Sequence, residues 1–262
     1  MDENFQTYLN RAMRMTLPET YRSQVQHIQD SPKYQRHAEL GLEALPFPGY
    51  TIVSPPGLDD SAENQVLFPF LERIQQQLLK RLGPEVFAPV PSASFHLTLA
   101  DLIWDSAYKH AIDTSDQFEV QLRDRIAQIF QSCDGMQQGT AIQFQVLGLM
   151  VMTRAIGVCL APTDEGSYER ILRFRRALYQ NRELIGLGIE QQYYFTPHVT
   201  LGYFGTTPPI DKRATLAEDI IDLNQEWLDS EPQMFWVSQA ELRKFDDMTR
   251  YYRESDWPVF QF

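Results

Sequence analysis

Two short stretches of this chain carry the same arrangement of reactive side chains. His96-Leu97-Thr98-Leu99 and His198-Val199-Thr200-Leu201 both read histidine, aliphatic, threonine, aliphatic. In an extended chain successive side chains alternate, so His96 and Thr98 share one face and Leu97 and Leu99 the other. His198 and Thr200 stand opposite Val199 and Leu201 in the same way. Next on each polar face come Ala100 and Gly202, so regular strands would present His, Thr and a gap. A single His-x-Thr means little, because most histidines are satisfied within the fold. The recurrence is the signal. Imidazole titrates near neutrality, so one ring can take a proton while the other gives one. Two hydroxyls beside them can hold the non-bridging oxygens of a phosphoryl group. This is a sufficient kit for in-line attack on a phosphodiester, above all a strained cyclic one. Each proton transfer contributes about 10²–10⁴, with limbs of the pH profile expected between about pH 5 and 8.

The surrounding pattern predicts how the two stretches are held. Residues 1–45 read as a helical extension, with Phe5, Leu9, Ala12 and Met13 at helical spacing. Pro46-Phe47-Pro48-Gly49 turns the chain into a strand over Tyr50 to Ser54. Leu67, Phe70, Leu71, Ile74, Leu78 and Leu82 line one face of a helix from Asn64, closed by Gly83-Pro84. Strands follow over Val86 to Val90 and Ser94 to Ile103, then a helix over Gln117 to Gln131. The second half repeats that order. Strands are expected over Phe144 to Met152 and Ala155 to Leu160, and a helix over Glu165 to Tyr179. A strand over Phe195 to Phe204, a helix over Ala214 to Leu228 and a strand over Phe235 to Leu242 complete it. From Pro56 to His96 is 40 residues, and from Pro162 to His198 is 36. The simplest reading is an internal duplication, with repeats at roughly 46–148 and 149–262. The fold class is α+β: a bilobal pseudo-twofold of mostly antiparallel sheets with flanking helices around a central groove.

Charge and composition narrow the partners. The formal net charge is −12, from 23 basic and 35 acidic residues, and such a field repels duplex DNA, long RNA and anionic lipid. A small nucleotide or short oligonucleotide in a locally basic pocket is compatible with it. Two cysteines are too few for a disulfide framework, and Cys159 in Gly157-Val158-Cys159-Leu160 reads as a buried thiol. The most apolar stretch, Val146 to Pro162, holds Thr153 and Arg154 at its middle and reads as two strands around a turn. The start, Met1-Asp2-Glu3-Asn4, lacks a basic or apolar leader. A cytoplasmic monomer, off the membrane, is expected.

Paired His-x-Thr/Ser motifs, one in each half of a duplicated α+β chain, resemble the 2H phosphoesterase superfamily. That superfamily includes RNA 2′,3′-cyclic phosphodiesterase and 2′-5′ RNA ligase enzymes. The likeness covers residues 46–262, and Leu45-Pro46-Phe47-Pro48-Gly49-Tyr50-Thr51-Ile52-Val53 resembles one of its uncharacterised branches. It implies two lobes facing across a groove, His96 and His198 as catalytic residues, and Thr98 and Thr200 on the substrate phosphate. One departure is Pro197, which removes a ladder N–H before His198 and predicts an edge or bulge there. Lesser candidates for substrate contact are Tyr194 and Thr196, on the His198 face if the strand runs through Pro197. Tyr203 joins them if the strand bends, and Arg154 if its turn reaches the groove. No cofactor is expected, and no metal, because neither motif has ligand spacing. The expected activity is metal-independent cleavage of a small cyclic or 2′-5′-linked nucleotide. The alternative is a nucleotide-binding module with the same groove and no turnover.

Overall fold

Local signals set the element boundaries. In this computed structural model, which describes residues 2–37, 41–133, 136, 139–229 and 231–262, Asn4 caps α1 (Phe5–Arg14) by accepting the Thr7 N–H. Pro18 opens α2 (Pro18–Gln24) at a position where its missing N–H costs nothing. The extension is not all helical, because a hairpin follows, β1 (Tyr34–His37) against β2 (Gly41–Ala44). Nor is it an appendage. Tyr8 and Tyr21 are fully buried, and their hydroxyls donate to the carbonyls of Leu160 and Leu149.

Beyond it come β3 (Gly49–Val53) and α3 (Ala62–Leu82), the latter capped by Ser61 and stopped by Gly83 at φ +85°. Then follow β4 (Phe87–Pro89), β5 (Thr98–Trp104), α4 (Asp105–Thr114) and α5 (Phe118–Ser132). α4 lies outside the elements expected from sequence, its short stripe of Ala107, Tyr108, Ala111 and Ile112 being interrupted by Lys109 and His110. The second half runs β6 (Ile142–Val151), β7 (Ala155–Pro162), α6 (Glu165–Tyr179), α7 (Arg182–Gly186), β8 (His198–Phe204) and α8 (Arg213–Leu228). It closes with β9 (Met234–Val237), β10 (Gln239–Asp247), β11 (Arg250–Tyr252) and β12 (Val259–Gln261). The last expected strand, over Phe235 to Leu242, divides at Ser238. Its first part pairs with β6 in one sheet and its second with β3 in the other.

The α+β reading holds. One antiparallel sheet runs β11-β10-β3-β5, with β12 on β10, and the other runs β4-β8-β7-β6-β9. Strands do not sort by sequence half. Residues 239–261 complete the sheet that carries His96, while β4 crosses to pair with β8 beside His198. Pro197 sits just ahead of β8, where its carbonyl accepts the Leu160 N–H and its absent donor breaks no ladder bond. No helix among the described residues is long and apolar enough to cross a membrane.

Candidate active site

Among the described residues one isolated backbone bridge joins the two sheets, between Leu97 and Val199, both fully buried. The strands run antiparallel there, so one step to either side sets His96 beside Thr200 and Thr98 beside His198. The histidines become diagonal neighbours, about 7–8 Å apart and somewhat closer between Cβ atoms. All four side chains are half-buried and line one cavity of about 590 Å³. The two sequence motifs therefore meet as one constellation.

Each motif then breaks its alternation at the same place. Val53 pairs with Thr98 but Ile52 with Ala100, leaving Leu99 as a bulge; Gly157 pairs with Thr200 but Ile156 with Gly202, leaving Leu201 as another. A bulge carries one extra residue, so everything beyond it changes face. Ala100 and Gly202, expected to leave a gap in the site, turn away instead and are buried. Asp101 and Tyr203 enter the cavity in their place. This is why Tyr203 lies in the site despite its odd spacing from His198. Each bulge carbonyl is met by a helix side chain, and Leu201 O also accepts the Val90 N–H at 3.1 Å. Arg175 of α6 donates to Leu99 O and also to Tyr193 O at 3.3 Å. Gln75 of α3 donates to both Leu201 O and Val90 O at 2.7 Å.

Gly202 is required by this geometry. A Cβ there would lie 2.5 Å from both Ala88 O and the Phe87 ring, in the β4 strand packed against β8. Gly202→Ala is expected to destabilise the protein by about 1–3 kcal/mol, the usual range for overpacking. Equilibrium denaturant unfolding would measure this, and an unchanged midpoint would contradict it.

The two rings are held alike. His96 Nδ1 lies 2.6 Å from Ser94 O, and His198 Nδ1 lies 2.8 Å from Thr196 O, both two residues back. A carbonyl oxygen only accepts, so each Nδ1 carries the hydrogen and each Nε2 is left for the cavity. Tyr251 packs on His96 at 4.3 Å between ring centroids. Burial pushes His96 down to about 4, with the charges of His198 and Arg243 adding to it. Burial also lowers His198, but the nearby Asp101 carboxylate pulls it back up. The near-symmetry of the motifs is thus broken by the charges around them. Asp101 is itself exposed to the cavity yet crowded by protein, which raises its carboxyl against the pull of Arg175, Lys33 and His198.

The lesser candidates divide. Tyr203 and Arg154 line the cavity. Tyr194 does not; it is exposed, with the Arg11 guanidinium 5.8 Å from its ring centroid, and its neighbour Tyr193 lines the cavity instead. The Thr196 hydroxyl is turned to Arg11, which donates to it at 2.8 Å and to Phe195 O at 2.8 Å. What Thr196 gives the site is its carbonyl. Sequence reasoning missed Asp101, Thr51, Lys33 and Tyr251, which also line the cavity. Among the described residues no group of three or more His, Cys, Asp or Glu is arranged to hold a metal ion.

Comparison with known proteins adds to this geometry. Residues 37–153 match a family model described as 2H-phosphodiest, a domain of unknown function (DUF1868). The match takes in His96, Thr98 and Asp101 and stops short of the second motif. No curated protein sequence matches the chain. The fold is shared with a conserved protein of unknown function, ATU0111, from Agrobacterium tumefaciens. That structure has a TM-score of 0.60 at 16% identity, over 87% of this chain and 93% of its own. Usb1 of Kluyveromyces marxianus aligns with a TM-score of 0.47 and 10% identity, over 81% and 97% of the two chains. E. coli LigT complexed with 3′-AMP aligns with a TM-score of 0.39 and 14% identity, over 82% and 95%.

Proposed function

We propose that this chain, whose residues 37–153 match the 2H-phosphodiest family model, is a member of the 2H phosphoesterase superfamily and a metal-independent phosphodiesterase acting on a small cyclic or 2′-5′-linked nucleotide. One observation carries the proposal. Matching Nδ1–carbonyl contacts leave Nε2 uncommitted on two histidines that line one cavity together with Thr98 and Thr200. A cavity of about 590 Å³ suits a nucleotide.

The charges favour an order of events. His96, held neutral by its surroundings, takes a proton from water as the water oxygen attacks phosphorus. The bond from phosphorus to the leaving oxygen breaks, and His198, protonated with Asp101 nearby, gives that oxygen its proton. The product is a phosphomonoester with a free hydroxyl. Thr98 and Thr200 donate to the non-bridging oxygens as negative charge builds on them. Thr98→Ala and Thr200→Ala should each cost about 1–3 kcal/mol of transition-state stabilisation, read as a loss in kcat/KM.

The test is hydrolysis of nucleoside 2′,3′-cyclic phosphates and 2′-5′-linked dinucleotides in the presence of EDTA. Turnover that persists under chelation is expected. Nucleotide binding without hydrolysis would make the protein a binding module. Activity lost to EDTA and restored by Mg²⁺ or Mn²⁺ would overturn the metal-free mechanism.

A further inference from the structure

The cations of the cavity are gathered on one side. Lys33 arrives from the N-terminal extension, outside the repeated core, and lines the cavity beside His198 and Thr200. Its ammonium sits 4.7 Å from the ring centroid of Phe47 and 4.9 Å from that of Tyr203, and 3.5 Å from the Tyr203 hydroxyl. Rings on two sides fix a long, flexible side chain where water would otherwise let it roam. Arg154, on the turn between β6 and β7, lines the same side and donates only to a neutral group, Gln29 Oε1, at 3.2 Å.

Neither cation has a carboxylate within 4.0 Å among the described residues. In a chain with 35 acids and 23 bases, salt bridges take up many of the other basic side chains. Asp101, in the same cavity, acts on Lys33 through its field without an ion-pair contact, and two cations in one groove with no carboxylate in contact are placed for an anion that comes from outside. The scissile phosphoryl group is already served by His96, His198, Thr98 and Thr200. The groove holding Lys33 and Arg154 leads away from His198 and Thr200 along Met152 and Ala155.

We infer that Lys33 and Arg154 form a subsite for a second phosphate of the substrate, distinct from the one that is cleaved. The inference rests on the phosphodiesterase reading and deepens it. The substrate class becomes a nucleotide phosphodiester that also bears a phosphate or diphosphate group on the same nucleoside. Lys33 remains a cation at neutral pH, since burial brings it down only to about 8.

The experiment compares adenosine 2′,3′-cyclic phosphate with the same compound carrying a 5′-phosphate. The wild-type chain is expected to favour the 5′-phosphorylated form by about tenfold or more in kcat/KM, the scale of a hydrogen bond to a charged group. Lys33→Met and Arg154→Gln should each bring that ratio towards one, while Lys80→Met, an exposed cation on α3, should leave it alone. Arg154 is an exposed turn residue, so its variant reads the subsite even if Lys33→Met fails to fold. Equal rates of wild type on the two compounds, or a ratio that neither variant moves, would overturn the subsite and leave the phosphodiesterase reading intact. If neither compound is hydrolysed, the phosphodiesterase reading fails, and calorimetry with pyrophosphate then decides the subsite. Affinity falling about tenfold in Arg154→Gln supports it, and unchanged affinity refutes it.

Discussion

Replacing His96 or His198 by alanine is expected to lower turnover on the best nucleotide substrate by about 10²–10⁴, the size of one lost proton transfer. The two substitutions should not multiply. Attack and departure occur on the same phosphorus, so an acid without its base, or a base without its acid, has little left to do. The double variant should therefore be scarcely slower than either single one, as for residues that act as a unit. Folding should survive in all three. The rings are half-buried in an open cavity, and the aliphatic faces formed by Leu97, Leu99, Val199 and Leu201 are untouched. Each substitution frees one carbonyl, Ser94 O or Thr196 O, to bond water. Steady-state kinetics beside thermal unfolding makes the comparison. A histidine variant with native stability and full turnover would return both motifs to a structural role.

Much of this site is legible in the sequence, because side-chain alternation needs no tertiary information. Alternation sets His96 beside Thr98 and His198 beside Thr200, the repeated order of elements is what points both pairs at one groove, and the apolar stripe of α6 bounds it to the residue. The rule fails at the bulges, yet the failure leaves a trace. Leu99-Ala100 and Leu201-Gly202 are consecutive apolar pairs ahead of Asp101 and Tyr203, and a regular half-buried strand has no use for such pairs. Another trace lies in the helices. Arg175 falls four residues after Ile171 and three before Leu178, and Gln75 falls four after Leu71 and three before Leu78. Each is a polar residue in the middle of an apolar stripe, where buried backbone carbonyls give it a partner. Other parts left no trace. The Nδ1 acceptors are backbone carbonyls, which any residue supplies equally well. Lys33 meets His198 only through the docking of the N-terminal segment, across more than half the chain. Local pattern cannot reach that far.

Raising the pH from 6.5 to 8.5 is expected to lower kcat/KM about a hundredfold, tenfold for each unit, and the reason lies in the burial of the two rings. In the proposed mechanism the competent form has one ring neutral and the other protonated. For kcat/KM the relevant values are those of the free enzyme. Below about 4 His96 gains a proton and can no longer act as base. Above the His198 value, itself lowered from the ordinary 6.5, the acid is lost. The bell therefore peaks between about 4 and 6.5, on the acid side of the limbs that free imidazoles would give. Substrate changes this balance. A bound phosphodiester anion lies against both rings and favours their charged forms, so the alkaline limb of kcat should stand at higher pH than that of kcat/KM. The assignment of roles is tested by Asp101→Asn. Removing that carboxylate takes away the charge that, with the Thr196 carbonyl, opposes the effect of burial on His198, so the alkaline limb of kcat/KM should move further down in pH. If the acid limb moves instead, His198 is the base and His96 the acid. If kcat/KM stays flat from pH 6 to 8 in the parent enzyme, the two histidines do not share the proton transfers at all.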